Sequence, residues 1–255
     1  MTEPSVAVWV YAVGVDLDGP WLAGATGVDG ESLRVVSASG LTALVGSVDS
    51  GRFGAEGLRR RLDDLDQLEG IARRHHAAIA LIAAHRPVAP ARLATLYADD
   101  DRVRTAVRRH RDEFLAALRN VAGRLEWGVK AYSTGSEPDQ PTPSAPTSGT
   151  AYLRQRQALL SARNSSWQRA AESAHAVHDR LSEIAVEARE HRPQDPNLSG
   201  DRRSMILNGA YLVDNEHAEE FATAVATLAD EHPELAVELT GPWPAYSFAV
   251  VDDEQ

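Results

Sequence analysis

The sequence predicts an α+β protein of two domains, each a small sheet with helices on one face, the second ferredoxin-like with one long helix. Short apolar runs rich in Val, Ile and aromatic residues alternate with longer segments whose apolar residues recur at helical spacing. The 255 residues suffice for two domains of ordinary size. After residue 125, the order of strands and helices is close to that of a ferredoxin-like sheet.

The first half of the chain begins with strands. Residues 6–15 form a nearly continuous apolar run, and residues 33–37 and 41–48 are typical of a hairpin that turns at 38–40. The loop between the first strand and the hairpin contains three glycines at regular intervals. Their spacing differs from that of a dinucleotide-binding motif, and the strand–turn–helix context of such a motif is missing. We therefore expect a small sheet without a phosphate site.

Two helices complete the first domain. Apolar residues recur at helical spacing over 55–84, and Pro87 cannot continue that helix. Residues 88–97 are an extended segment. The three acidic residues at 99–101 indicate the start of a helix, because negative charge is stabilised at the positive end of the helix dipole. The helix that follows is expected to end at Gly123 or the residue after it.

The sequence of the second half of the chain predicts four strands, two helices and a flexible loop. The expected segments are a strand at 126–133, a proline-rich loop at 134–149, a helix at 150–190, a strand at 204–214, a helix at 215–231, and strands at 235–239 and 246–250 around a rigid turn at 241–244. We expect domains at 1–124 and 125–255. The aromatic residues expected to build the second core are Trp127, Trp243, Tyr246 and Phe248.

The long helix carries more apolar length than its domain can cover. Leu153, Leu160 and Trp167 lie seven residues apart and continue a pattern that extends through Ala174 and Leu181. At ~1.5 Å per residue the predicted helix spans ~60 Å. Either it bends at Asn164, or one end projects and packs against another molecule.

Composition excludes several classes of protein. There are no cysteines, so disulfides and thiolate metal sites are excluded. Residues 1–124 contain 16 Arg and 16 acidic residues, so the remainder of the chain carries the whole net charge of −11. Neither half has the basic footprint of a general nucleic-acid binder. We predict no signal peptide, no membrane segment and a cytoplasmic protein.

No catalytic motif is found. The Gly-x-Ser-x-Gly elbow, the Walker lysine motif and His-Glu-x-x-His are all absent from the sequence. The best metal candidate is a group on the long helix, Glu172, His175, His178 and Asp179. A dinuclear site needs a second Glu-x-x-His, so this group is expected to be a solvated face, with a metal-dependent enzyme as the alternative. His75, His76 and His110 are expected to be hydrogen-bonded packing residues.

Four sets of segments, in this order and spacing, resemble the gas vesicle protein GvpF/GvpL family. They are Arg-His-His at 74–76 with Pro-Val-Ala-Pro-Ala-Arg-Leu-Ala-Thr-Leu-Tyr at 87–97, Leu-Glu-Trp-Gly-Val-Lys at 125–130, Gly-Thr-Ala-Tyr-Leu at 149–153, and Leu-Asn-Gly-Ala-Tyr-Leu-Val-Asp at 207–214 with Leu-Thr-Gly-Pro-Trp-Pro-Ala-Tyr-Ser-Phe at 239–248. Glu-Trp-Gly-Val-Lys and Thr-Gly-Pro-Trp-Pro-x-Tyr-Ser-Phe are the most specific.

The resemblance implies a non-enzymatic accessory protein for gas vesicle assembly, without cofactors or catalytic residues. It also implies two α+β domains, association with the gas vesicle, and binding to the shell protein GvpA and to other accessory Gvp proteins. We expect the contact to involve Leu153, Leu160 and Trp167 of the long helix. This chain departs from the family pattern at 90–95. The family usually has a sequence similar to Pro-Leu-Arg-Phe-Gly-Thr at this place, whereas this chain has Pro-Ala-Arg-Leu-Ala-Thr. We therefore do not assign the family's surface contacts to these residues.

Overall fold

The computed structural model describes residues 6–134, 149–193, 203–249 and 251. The chain divides into two compact units, Met1–Leu125 with Trp243–Gln255, and Glu126–Pro242. This division by contacts differs from the expected domain limits in grouping residues 243–255 with the first unit. Almost all of the loop expected at 134–149 lies outside the described residues.

The first unit contains an antiparallel sheet whose strands are β1 (Val6–Gly14), β2 (Arg34–Ala38), β3 (Leu41–Asp49), β4 (Val88–Pro90) and β5 (Leu96–Tyr97). The strand order is β2-β3-β1-β4, with β5 also paired to β1. The predicted hairpin is confirmed: β2 pairs with β3, and Ser39 and Gly40 have φ of 52° and 78°. Two successive positive φ values match the twist of a two-residue hairpin turn.

Three helices follow β3, namely α1 (Ser50–Phe53), α2 (Ala55–Leu62) and α3 (Leu65–Ala83). The single helix predicted at 55–84 is thus interrupted at 63–64. The Asp64 carboxylate accepts hydrogen bonds from the backbone N–H groups of Asp66 and Gln67. Asp64 therefore acts as an N-cap that begins a new helix rather than continuing the previous one.

The acidic run at 99–101 begins a helix as predicted. Asp99 accepts from the backbone N–H of Arg102 and caps α4 (Asp100–Arg109). The expected single helix is again two, because His110 leaves helical geometry with φ of −102° and ψ of 21° before α5 (Arg111–Val121). Gly123 follows in the left-handed region with φ of 72°.

The second unit has the ferredoxin-like arrangement. Its elements are β6 (Arg124–Ser133), α6 (Gly149–Ile184), β7 (Glu187–Glu190), β8 (Met205–Asp214), α7 (Ala218–Glu231) and β9 (Leu235–Trp243). The strand order is β7-β8-β6-β9, as in a β-α-β-β-α-β sheet. The N–H of Ser133 donates to the Ser204 carbonyl, and that of Thr134 to the Glu234 carbonyl. The end of β6 thus lies beside the starts of both neighbours, so the sheet is antiparallel.

Strand β7 corrects the prediction that the long helix continues to residue 190. Helix α6 ends at Ile184, and Glu187–Glu190 pairs antiparallel with β8, with Ala188 opposite Tyr211. The N–H of Val186 already donates to the Leu212 carbonyl. Pairing with a strand distant in sequence therefore overrides a helical pattern at this point.

The carboxyl end corrects two further predictions. Strand β9 continues through the expected turn to Trp243, and the Gly241–Pro242 peptide is cis. Residues 246–249 form a turn instead of the predicted strand, because the N–H of Phe248 and Ala249 donates to the Ala245 carbonyl. Residue 250 lies outside the described part of the chain.

The aromatic residues are divided between the two cores. Trp127 packs against the second hydrophobic cluster as predicted. Tyr246 packs against the first cluster, and both Tyr246 and Trp243 contact the ring of His76 on α3. The expectation that Trp243 and Tyr246 build the second core is therefore wrong.

Candidate partner-binding surface

The carboxyl half of α6 is a core helix. Ala170, Ala174, Val177 and Leu181 are buried and pack in one cluster with residues of β6 and β8. They recur at intervals of four, three and four residues, which places them on one face of the helix. This face attaches α6 to the sheet.

The amino half of α6 has no such cover among the residues described. From Thr150 to Arg169, each residue whose side chain is described is exposed, except for partly buried Ser166. The exposed fractions are 63% for Leu153, 53% for Leu160 and 55% for Trp167. The structure thus places all three predicted contact residues on an exposed surface of one helix, here called the α6 stripe.

The α6 stripe continues the register of the buried face. Leu153, Leu160 and Trp167 precede Ala174 and Leu181 at seven-residue spacing. The second core position of each heptad lies three residues after the first. In this helix these alternate positions are 156, 163, 170, 177 and 184, occupied by Arg, Arg, Ala, Val and Ile. The sequence of this register is therefore apolar from position 167 to position 184, and alternates leucine with arginine from position 153 to position 163. These two arginines were not among the predicted contact residues, although charge at alternate heptad positions is a signal that the sequence carries.

A groove of about 350 Å³ lies beside Trp167. Its lining includes Trp167, His175, His178, Glu190 and Met205. The groove adjoins the stripe at Trp167 and is lined by both apolar and ionisable residues.

His178, which lines this groove, forms a partly buried hydrogen bond with Tyr211. Burial raises the pKa of the Tyr211 phenol, so the hydroxyl keeps its proton, and its oxygen lies 2.8 Å from Nδ1 of His178. This contact fixes the ring on α6 against β8.

The four candidate metal ligands on α6 do not form a centre. Glu172 is exposed, and Nε2 of His175 lies 3.5 Å from Oδ2 of Asp179 with both side chains mostly in solvent. Nδ1 of His178 is bound to Tyr211. Across the described ranges, no group of three or more His, Cys, Asp or Glu side chains is placed to hold a metal ion.

The first unit contains a cavity of about 280 Å³ beside the sheet. Its apolar lining includes Val10 and Val13 of β1, Val103 and Val107 of α4, and Phe114 of α5. Arg92, Thr95, Tyr97 and His110 also line the cavity. The cavity was not predicted, since its walls come from segments about a hundred residues apart in the chain.

The predicted packing role of His75 is confirmed. Its Nδ1 accepts from the Trp9 indole over 3.0 Å, and its Nε2 donates to the Ala91 carbonyl over 3.1 Å. Burial lowers the pKa of His75 to about 4, so the ring is neutral at pH 7. His76 is also hydrogen-bonded, its Nδ1 lying 2.9 Å from the Tyr246 hydroxyl.

The loop between β1 and β2 is organised around Glu31. Its carboxylate accepts from the Tyr11 hydroxyl and, over 2.8 Å, from the Asp29 backbone N–H. The Tyr11 hydroxyl accepts in turn from the Val28 backbone N–H. A Cβ at Gly27 would collide with the Glu31 carboxylate and the Tyr11 hydroxyl, so this glycine serves close packing of a loop.

Comparison with known proteins identifies the family. The sequence model of the family "Gas vesicle synthesis protein GvpL/GvpF" matches residues 7–250. The chain belongs to the GvpL/GvpF family. It is 39% identical over 251 residues to gas vesicle protein L of Streptomyces sp. strain CB03234, covering 96% of this chain and 94% of that protein. Family membership supports a role in gas vesicle formation.

Solved GvpF structures share the fold of this GvpL/GvpF family member. The crystal structure of GvpF from Anabaena sp. PCC7120 matches with a TM-score of 0.69 at 20% identity, covering 98% of this chain and 99% of that one. GvpF from Microcystis aeruginosa matches with a TM-score of 0.65 at 16% identity, covering 96% and 99%. Of the described helices, none has the length and apolar character needed to cross a membrane.

Proposed function

We propose that this chain is a non-enzymatic accessory protein of gas vesicle assembly that binds the shell protein GvpA and other accessory Gvp proteins. It acts in the cytoplasm in association with the growing vesicle and needs no cofactor. Family membership supports the assembly role, and the exposed α6 stripe supports a role in binding. The observation that carries the binding proposal is the exposure of Leu153, Leu160 and Trp167 on one helix.

An apolar stripe on a single exposed helix is costly without a partner. A helix of about 20 residues is marginal in water on its own, and its stability normally comes from packing of an apolar face. Trp167 is the largest side chain of the stripe, and tryptophan is frequent among residues that dominate binding energy. A shell protein with apolar surface would be covered by such a stripe during assembly.

The runner-up function is a metal-dependent enzyme using Glu172, His175, His178 and Asp179. The exposure of His175 and Asp179 and the engagement of His178 with Tyr211 speak against it. Metal analysis of protein purified without an affinity tag decides the matter, because a genuine site fills close to stoichiometrically. More than about half an equivalent of one transition metal would favour the enzyme.

The binding proposal is tested by retention of purified GvpA, and of each other Gvp protein, on the immobilised full-length chain. We expect wild type to retain GvpA, and Trp167→Glu or Leu160→Glu to retain roughly tenfold less, as for anchor residues of an interface. Leu65→Glu is the matched control, since Leu65 is 79% exposed on α3, away from α6 in sequence. It should retain GvpA like wild type.

The possible outcomes separate the two parts of the proposal. Retention of GvpA by both α6 variants would show that the stripe is not the contact. If wild-type protein retains none of the Gvp proteins, the proposed function itself is wrong.

A further inference from the structure

The charge of the exposed half of α6 is opposite to that of the chain as a whole. Residues 149–170 contain four arginines and no acidic residue, whereas the whole protein has a net charge of −11. The carboxyl half, residues 171–184, contains three acidic residues and one arginine. The boundary between basic and acidic halves coincides with the boundary between exposed and buried register positions, at Ala170.

Three arginines elsewhere on the helices of this protein pair with a carboxylate on the same helix. Arg73 pairs with Glu69 on α3, Arg104 with Asp101 on α4, and Arg180 with Glu183 on α6 itself. Such pairs three or four residues apart are the ordinary way in which a solvated helix offsets its charge. Arg154 and Arg156 are exposed, and no carboxylate lies within four residues of either one along the helix.

We propose that the α6 stripe binds an acidic amphipathic helix, with apolar residues opposite Leu153, Leu160 and Trp167 and carboxylates opposite positions 156 and 163. This inference rests on the proposed function, because it names the chemistry of the partner on the same surface. Arginine at alternate heptad positions rejects an all-apolar seam and selects a helix that alternates apolar and acidic residues.

A second copy of the chain is disfavoured on charge. Pairing two α6 stripes would bring two segments of four arginines together without any intervening carboxylate.

The test uses the full-length protein and two fluorescent synthetic helices of about three heptads. Both carry leucine at seven-residue spacing, and at the alternate positions one carries glutamate and the other lysine. We expect the glutamate helix to bind wild type and to bind about tenfold more weakly when salt is raised from about 50 mM to about 500 mM, since the charge pairs are screened. The lysine helix should not bind.

Charge reversal supplies the decisive comparison. In the double variant Arg156→Glu and Arg163→Glu, we expect loss of the glutamate helix and gain of the lysine helix, a reciprocal change that misfolding cannot produce. Arg73→Glu is the matched control, because Arg73 is exposed on α3, and it should bind the glutamate helix like wild type.

Three outcomes would overturn the inference. They are equal binding of both peptides to wild type, absence of the reciprocal change, and binding of wild type to phosphatidylglycerol vesicles without binding of either peptide. If the double variant still retains GvpA, the acidic-partner inference fails while the proposed function stands. If the peptides behave as expected but wild type retains none of the Gvp proteins, the proposed function fails while the surface chemistry stands.

Discussion

The Trp9 indole nitrogen donates a hydrogen bond of 3.0 Å to Nδ1 of His75, joining β1 to α3 inside the first core. Both residues are buried, and the second nitrogen of His75 donates to the Ala91 carbonyl in the segment after β4. The neutral ring therefore bridges three parts of the unit. A protonated ring would present a donor to the indole N–H and lose this bond.

We expect acid to destabilise the first unit through His75. Burial lowers the pKa of His75 from 6.5 to about 4, so the unfolded chain takes up the proton first as pH falls. The contribution is complete above about pH 6.5, declines as pH falls below it, and reaches about 3 kcal/mol of lost stability near pH 4. Urea unfolding of wild type and His75→Gln at pH 7, 6, 5 and 4 measures this.

The His75→Gln variant should be less stable at pH 7, by about 1–3 kcal/mol, and flatter in its pH dependence. His85→Gln is the control, since His85 is exposed at the end of the same helix. Parallel pH profiles for wild type and His75→Gln would contradict the proposed bridge.

Ala94→Gly should stabilise the protein. Ala94 has φ of 68°, a left-handed conformation that costs an L-residue with a Cβ about 1–2 kcal/mol. The greater entropy of glycine in the unfolded chain offsets part of the gain, so we expect a net increase of about 0.5 kcal/mol in the free energy of unfolding.

Ala122→Gly is the matched control for this effect. Ala122 is exposed with φ of −64°, where alanine is unstrained, so the same substitution should lower stability. Chemical denaturation of both variants checks the sign, and destabilisation by Ala94→Gly would refute the strain argument.

Gly27→Ala should destabilise the loop between β1 and β2. The added Cβ would collide with the Glu31 carboxylate and the Tyr11 hydroxyl, and the network would have to move apart. We expect a loss of about 1–3 kcal/mol, typical of overpacking. Gly70→Ala in α3 meets only ordinary contact with Arg74 and should stabilise by about 0.5–1 kcal/mol. Equal effects of the two substitutions in thermal unfolding would count against this explanation.

The loss of stability on replacing a tryptophan should depend on how deeply that tryptophan is buried. Trp9 is fully buried, so Trp9→Ala should cost about 3–5 kcal/mol. Trp167 is 55% exposed, so Trp167→Ala should change stability by no more than about 0.5 kcal/mol. Urea unfolding compares the two variants, and a large loss for Trp167→Ala would mean that this side chain supports the fold rather than a partner.

Local patterns predicted most elements correctly. The apolar runs identified β1, β3 and β8, the acidic residues at 99–101 marked the start of α4, and the motifs at 125–130 and 239–248 indicated the family. The breaks at Asp64 and His110 were missed. At Asp64 a side chain competes locally with the helix, an effect that apolar periodicity does not report.

The sequence by itself determined the α+β class, the order of its main elements and the resemblance to the GvpF/GvpL family, because each depends on short-range pattern or on motifs in a fixed order. Tertiary structure alone decided that Glu187–Glu190 is a strand and that Tyr246 packs against the first core. It also decided that the walls of the cavity beside α4 come together. These features depend on contacts between residues far apart in the chain, and such contacts outweigh the weak local preference of a short segment.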